Sequence, residues 1–304
     1  LNGNYIPVAQ ACVPVYDAGF VLGATVTDQV RTFHHKPFRL GEHLDRLLHS
    51  LDAAGINIGL SKCELGEIAH KLLSQHARVI HDEDELGLVF FATPGEYRTY
   101  APTDALVRTT PTICAHTFLL PFELWAERIQ NGVHLVTPSV RQVPPQCVDP
   151  AIKCRSRMHF YLADLQARQV DPAATALLLD MNGYITETST ANFLMVERGT
   201  IVSPKCTNTL AGVSRATAIE LAGELNIPVA ECDISVEAAM RADEAFLAST
   251  PYCLMPISRI NGVLIAGGNQ GPVYQKLMRA WSNLVGLDIA RQLLEGTRRR
   301  NAFS

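Results

Sequence analysis

The sequence has no run of eighteen apolar residues, and no basic segment followed by an apolar one near its start. A bilayer-spanning helix needs about 20 apolar residues, so neither a membrane span nor a secretory signal is expected. There is no C-x-x-C pair: the eight cysteines (Cys12, Cys63, Cys114, Cys147, Cys154, Cys206, Cys232, Cys253) show no repeated spacing. Neither a zinc site nor a disulfide framework is signalled, which fits a reducing, cytoplasmic setting. Both G-x-G-x-x-G and G-x-x-x-x-G-K-[ST] are missing, which removes the usual nucleotide-binding loops. Basic residues are scattered on a chain of net charge −4; a phosphate backbone needs a basic face, so nucleic acid is not an expected partner. The one basic run, Arg298 to Arg300, reads as a solvated tail.

What is present describes a globular protein of two domains: 304 residues, 47% hydrophobic and 18% charged. Strands and helices mix in both halves without regular alternation, so the fold class is mixed α/β (α+β) and not a doubly wound sheet. "GNYIPVAQACVPVYDAGFVLG" reads as a short sheet. Leu40, Leu44, Leu47, Leu48 and Leu51 form one helical stripe that Gly55 ends, with Arg46 off it. Ser61 is the N-cap of a second helix, and "ELGLVFFATPG" is a buried strand. The expected division is a smaller domain over 1–118, a linker over 119–126 and a larger domain over 127–304. In the larger domain Met158, Tyr161, Leu162 and Leu165 recur at helical spacing. Three strand-like runs are joined at Asn182-Gly183 and Arg198-Gly199. "GVSRATAIELAGELNI" is a helix, "DEAFLAST" a strand and "GPVYQKLMRAWSNLV" a final helix.

Lysine is the scarce charged residue, six against twenty arginines. Of these only Lys153 follows an apolar approach ("VDPAIK") into an element that must pack. A lysine held there is partly desolvated, which makes the neutral amine available for Schiff-base chemistry; the plainer reading is a lysine snorkelling from a helix start. Strand alternation puts Glu187 on the Ile185 face of "YITETSTANF". An inward carboxylate there needs a cationic partner, whereas an edge strand leaves it in solvent. Gly212-Val213-Ser214 opens a helix whose first amides lack intrahelical partners, an anion site or simply a serine cap.

The order and spacing of these pieces resemble the fold-type IV, class IV aminotransferases, a family of branched-chain and D-amino-acid aminotransferases and aminodeoxychorismate lyases. The family signature is matched by Glu187, Asn192, Phe193, Leu194, then "IVSP", then "LAGVSR" ending at Arg215. Leu194 stands where an aromatic is usual and Ser203 where threonine is. "YDAGFVLG", "EHLDRLLHSL" and "IKCRSRMHFYLADLQA" match three further blocks, so the resemblance covers the chain from Asn2 to about Gly286. It implies a two-domain enzyme with pyridoxal 5′-phosphate as cofactor. Lys153 is then the residue that forms the aldimine, Glu187 the partner of the pyridine nitrogen, and Arg46, Val213, Ser214 and Thr250 the phosphate ligands. It implies ping-pong transamination between an amino acid and a 2-oxo acid, branched-chain-like, in a homodimer.

The substrate side departs from each branch. Met158 stands where branched-chain enzymes carry a tyrosine, Thr27 where an aromatic precedes the acid at Asp28, and Pro94 where D-amino-acid enzymes carry an arginine. Pro251 removes a backbone donor beside Thr250. Arg98, Arg155, Arg157 and His159 are the candidates for the substrate carboxylate. A lyase of the aminodeoxychorismate type, or a cofactor-binding protein without transaminase activity, is the alternative.

Overall fold

A computed structural model describes residues 1–101 and 110–301, and the chain forms two compact units, 1–120 with 151–157 and 121–150 with 158–304. The segment carrying Lys153, which the sequence places within the larger domain, thus groups with the first unit.

The first unit contains α1 (Ala18–Val21), β1 (Val26–Phe33), β2 (Lys36–Pro37), α2 (Leu40–Ala53), α3 (Lys62–His76), β3 (Leu86–Thr93) and β4 (Thr112–Leu119). The strands form an antiparallel sheet in the order β2-β1-β3-β4. Val26, Val30, Leu86, Leu88 and Phe90 from one sheet face meet Leu44, Leu47 and Leu51 of α2 and Leu65, Ala69 and Leu73 of α3. The leucine stripe is therefore the buried face, as its spacing requires. Ser61 caps α3 in a reciprocal capping box with Glu64.

Residues 3–23 do not form the short sheet that their β-branched and aromatic content suggests. They hold a short 3-10 turn and α1, and no strand. Pro7 and Pro14 remove ladder donors, while Asp17 draws the chain into a turn by accepting from Gly19 N (2.7 Å) and from the hydroxyls of Thr93 (3.0 Å) and Thr112 (2.7 Å). A Cβ on Gly19 would lie 2.3 Å from the Thr93 methyl, so this turn requires glycine.

The second unit contains α4 (Ala126–Asn131), β5 (Val133–Val136), α5 (Met158–Val170), β6 (Thr175–Leu179), β7 (Ile185–Thr188) and β8 (Asn192–Glu197). These are followed by β9 (Thr200–Ser203), α6 (Val213–Glu224), β10 (Val229–Glu231), α7 (Val236–Met240), β11 (Glu244–Ser249), β12 (Cys253–Ile260), β13 (Val263–Leu264), α8 (Pro272–Val285) and α9 (Ile289–Asn301). The sheet runs β10-β9-β8-β11-β12-β5-β6-β7, and β7 pairs again with β8, closing a ring of six strands. The middle run of the three expected becomes two strands, because the Thr188 hydroxyl accepts from Ala191 N and Thr190 N and folds the chain into a tight turn.

α8 is not the final helix, and Arg298 to Arg300 are the last turn of α9 and no tail. Ile289 and Leu293 are fully buried, and Arg300 donates to Glu123 (3.0 Å) while lying over the Phe122 ring. Among the described residues no helix is long and apolar enough to cross a membrane.

Candidate active site

In the first unit β1 is paired along its length by β3, and on its other edge by β2 only at Thr32 and Phe33. The segment 151–157 fills the open part of that edge: Thr27 N donates to Lys153 O (2.9 Å) and Arg155 N to Thr25 O (2.8 Å). Ile152 packs into the core, and Lys153 N donates to Ser50 Oγ of α2 (3.1 Å). Lys153 is thus fixed through its backbone to both the sheet and α2, with its side chain half-buried. Cys154 lies opposite Val26, so alternation puts Lys153 and Arg155 on the Thr27 side. The Arg155 guanidinium lies 3.4 Å from Thr27 Oγ1.

Arg46 does not face solvent from its position off the leucine stripe. Its Nε and one terminal nitrogen grip both oxygens of buried Asp28 (2.8 and 2.9 Å), and His43 Nδ1 lies 2.8 Å from the same carboxylate. Burial raises the Asp28 carboxyl, but the Arg46 charge and the bonds from His43 and Arg46 outweigh it and hold the group well below the usual carboxylate range. A carboxylate accepts only, so His43 carries its hydrogen on Nδ1. Burial lowers the His43 imidazole, countered in part by Asp28 and reinforced by the nearby charges of Arg46 and Lys153.

In the second unit Glu187 lies on β7 between β6 and β8. Both faces are covered there, so Thr186 and Thr188 are as buried as Ile185 and Glu187. The edge-strand alternative is gone, because ring closure turns a two-faced strand into a buried one. The closing pair is Glu187 opposite Asn192. Asn192 Nδ2 donates to Glu187 Oε2 (3.2 Å) and to Leu210 O (2.9 Å). Gln142 Nε2 and Leu210 N donate to Glu187 Oε1 (3.2 and 3.4 Å), and Gln142 Oε1 lies 3.0 Å from His159 Nε2.

Leu210 leads directly into α6. Gly212 is its N-cap, and no side chain caps the first turn. A Cβ on Gly212 would sit 2.0 Å from Asn192 Oδ1, so glycine lets the helix start approach the Glu187 pair. The first-turn amides of Val213 and Ser214 are directed as an anion site requires, and Ser214 is the second helical residue, not the cap. Thr250 follows β11, two residues past Ala248, which lies opposite Asn192.

The family profile for amino-transferase class IV matches residues 25–260. The chain belongs to the class IV aminotransferases. It is 29% identical over 287 residues to branched-chain-amino-acid aminotransferase-like protein 1 of Arabidopsis thaliana, covering 93% of this chain and 50% of that protein. The chain therefore spans about half the length of that relative. It is 25% identical to a D-alanine aminotransferase of Staphylococcus aureus, covering 94% of this chain and 96% of the relative. A T.th. branched-chain amino acid aminotransferase, solved with pyridoxamine 5′-phosphate, shares the fold at a TM-score of 0.82 and 24% identity, over 94% of this chain and 93% of that one.

Two positions of this class IV aminotransferase that depart from the signature keep its physical requirements. Ser203 retains the hydroxyl, which accepts from Arg215 Nε (2.8 Å). Arg215 also donates to Glu231 (2.6 Å), tying α6 to β9 and β10. Leu194 stays in the core without an aromatic ring. The sequence reading missed the three amide donors on Glu187 and the Asp28–His43–Arg46 cluster. Asn192 stood in the signature and Asp28 in the N-terminal block, but Gln142 carried no local signal.

Proposed function

We propose that this class IV aminotransferase binds pyridoxal 5′-phosphate and moves an amino group between an amino acid and a 2-oxo acid by a ping-pong mechanism, with branched-chain amino acids as the substrate class. The names of the Arabidopsis relative and of the T.th. enzyme support the substrate class, and the pyridoxamine phosphate in the latter supports the cofactor. The observation that carries the reading is the continuity of Glu187, Asn192 and the uncapped start of α6. A buried carboxylate supplied with amide donors suits a protonated ring nitrogen, and an uncapped helix start suits a phosphate.

When bound, the cofactor supplies a ring that accepts the electrons left on the substrate Cα as its proton departs. Lys153 is assigned the covalent attachment, and its released amine then takes the Cα proton at Nζ. Glu187 holds the hydrogen on the ring nitrogen. The amides of Val213 and Ser214, with Arg46 and Thr250, are assigned the phosphate. Arg155, two residues from Lys153 on the same side of an extended segment, is assigned the substrate carboxylate. His159 lies 3.0 Å from Gln142 instead. A homodimer in the cytoplasm belongs to the same reading; none of the eight cysteines forms a disulfide.

The test is the absorbance spectrum of the purified protein and of Lys153→Ala, with a panel of L- and D-amino acids. The expected result is a visible band that borohydride fixes onto Lys153, that branched-chain donors bleach, and that the variant lacks. A band that no donor bleaches points to a lyase or to a binder without transaminase activity. No band after added cofactor overturns the assignment of Lys153.

A further inference from the structure

The Glu187 carboxylate fixes the direction of every hydrogen bond behind it. An ionised carboxylate has no hydrogen to give, so the Gln142 group at Glu187 Oε1 is the NH2, and the amide oxygen faces His159. That oxygen accepts, so His159 carries its hydrogen on Nε2. Gln142 cannot shift to escape this arrangement: its backbone N donates to Leu179 O of β6 (2.9 Å), and the residue is buried. The imidazole is held in turn against the Phe160 ring at 4.2 Å between centroids. The result is a one-way series of donors, from His159 to Gln142 to Glu187.

We infer that His159 is a positioning residue: acting through Gln142, it holds Glu187 as the acceptor for a protonated ring nitrogen. This rests on the cofactor reading above. Without a donor at residue 159 the buried Gln142 oxygen loses its partner, and the amide is no longer held in the orientation that gives its NH2 to Glu187. Rotation turns its oxygen toward the carboxylate, which replaces an attraction by a repulsion between two acceptors. Asn192 does not compensate, because its NH2 is shared between Glu187 Oε2 and Leu210 O. The series therefore sets how well the site distinguishes a pyridinium from a ring without nitrogen.

The experiment measures the affinity of the full-length, cofactor-stripped protein for pyridoxamine 5′-phosphate and for the analogue whose ring nitrogen is replaced by carbon. Wild type, His159→Phe, His159→Gln, Gln142→Leu and the double variant His159→Phe/Gln142→Leu are compared by fluorescence titration. We expect His159→Phe to weaken pyridoxamine phosphate about tenfold, the loss of one hydrogen bond to a charged group, and to leave the carbon analogue unchanged. His159→Gln, which keeps a donor, is expected to recover most of the loss. The double variant is expected to be no weaker than Gln142→Leu alone, since the two residues act in series. Equal losses for both ligands, or additive losses in the double variant, overturn the inference and leave a merely structural histidine. A wild type that binds neither ligand overturns the cofactor reading, and the inference with it.

Discussion

Arg155 shows what a single residue gains from its place in the fold. In the sequence it is one of four candidates for the substrate carboxylate, with nothing to separate them. In the structure its backbone is pinned to Thr25 and its guanidinium lies against Thr27. Side chains two apart on an extended segment point the same way, about 7 Å from each other, which suits an amine and a carboxylate carried by one small substrate. Arg155→Ala is expected to raise KM for amino acids about tenfold or more, the value of a hydrogen bond between charged groups, with kcat less affected. Arg155→Lys is expected to recover only part, because an ammonium lacks the planar fork. Steady-state kinetics decide it: unchanged KM in the alanine variant refutes the assignment. Glu187 teaches the reverse lesson, since its place in the signature was legible in the sequence but its burial was not.

At the level of elements, Asp28 joins β1 to α2 through Arg46 and His43. Removing one partner of a buried pair leaves the other uncompensated, so Asp28→Asn is expected to destabilise the first unit by about 3 kcal/mol or more. The pH dependence has two steps of the same sign. Burial lowers His43, so as pH falls below about 6.5 the unfolded chain takes up a proton that the folded one resists, and stability falls. Asp28 is held low by Arg46 and His43 against its burial, so its contribution is complete above about pH 4 and is lost as pH falls further. Urea midpoints measured from pH 8 to pH 3 are expected to show both losses in wild type and only the upper one in Asp28→Asn; a lower step of full size in the variant refutes the account. The helices themselves were legible because α2 declares its buried face in a leucine stripe and α3 its start in the Ser61 cap. The segment 3–23 was not, because its turn is set by Thr93 and Thr112, far along the chain.

On the scale of the whole molecule, α5 turns the usual relation of apolar spacing to burial inside out. Met158, Tyr161, Leu162 and Leu165 recur at helical spacing yet are exposed, while Ala163 and Ala167 face β5 and β6. Exposed apolar stripes are a common feature of contacts between chains, and we propose this one as the surface that the proposed homodimer would bury. Replacing Leu162 by Glu together with Leu165 by Lys is expected to shift the protein to a monomer in light scattering, with its circular dichroism retained. An unchanged mass refutes this stripe as the contact.

By itself the sequence determined the family and the helices marked by a leucine stripe or a local cap, and it supplied the lysine, carboxylate and helix start as expected site residues. Such features are written in neighbours a few residues apart, where periodicity and capping act. The tertiary structure alone decided that β7 is enclosed by ring closure, that Gln142 and His159 stand behind Glu187, that Arg46 is held by Asp28, and that the C-terminal arginines belong to a packed helix. These outcomes depend on which strands pair and which carboxylate meets which cation. Residues distant in the chain settle them only when the core forms, because a buried polar group must find its partner wherever the fold provides one.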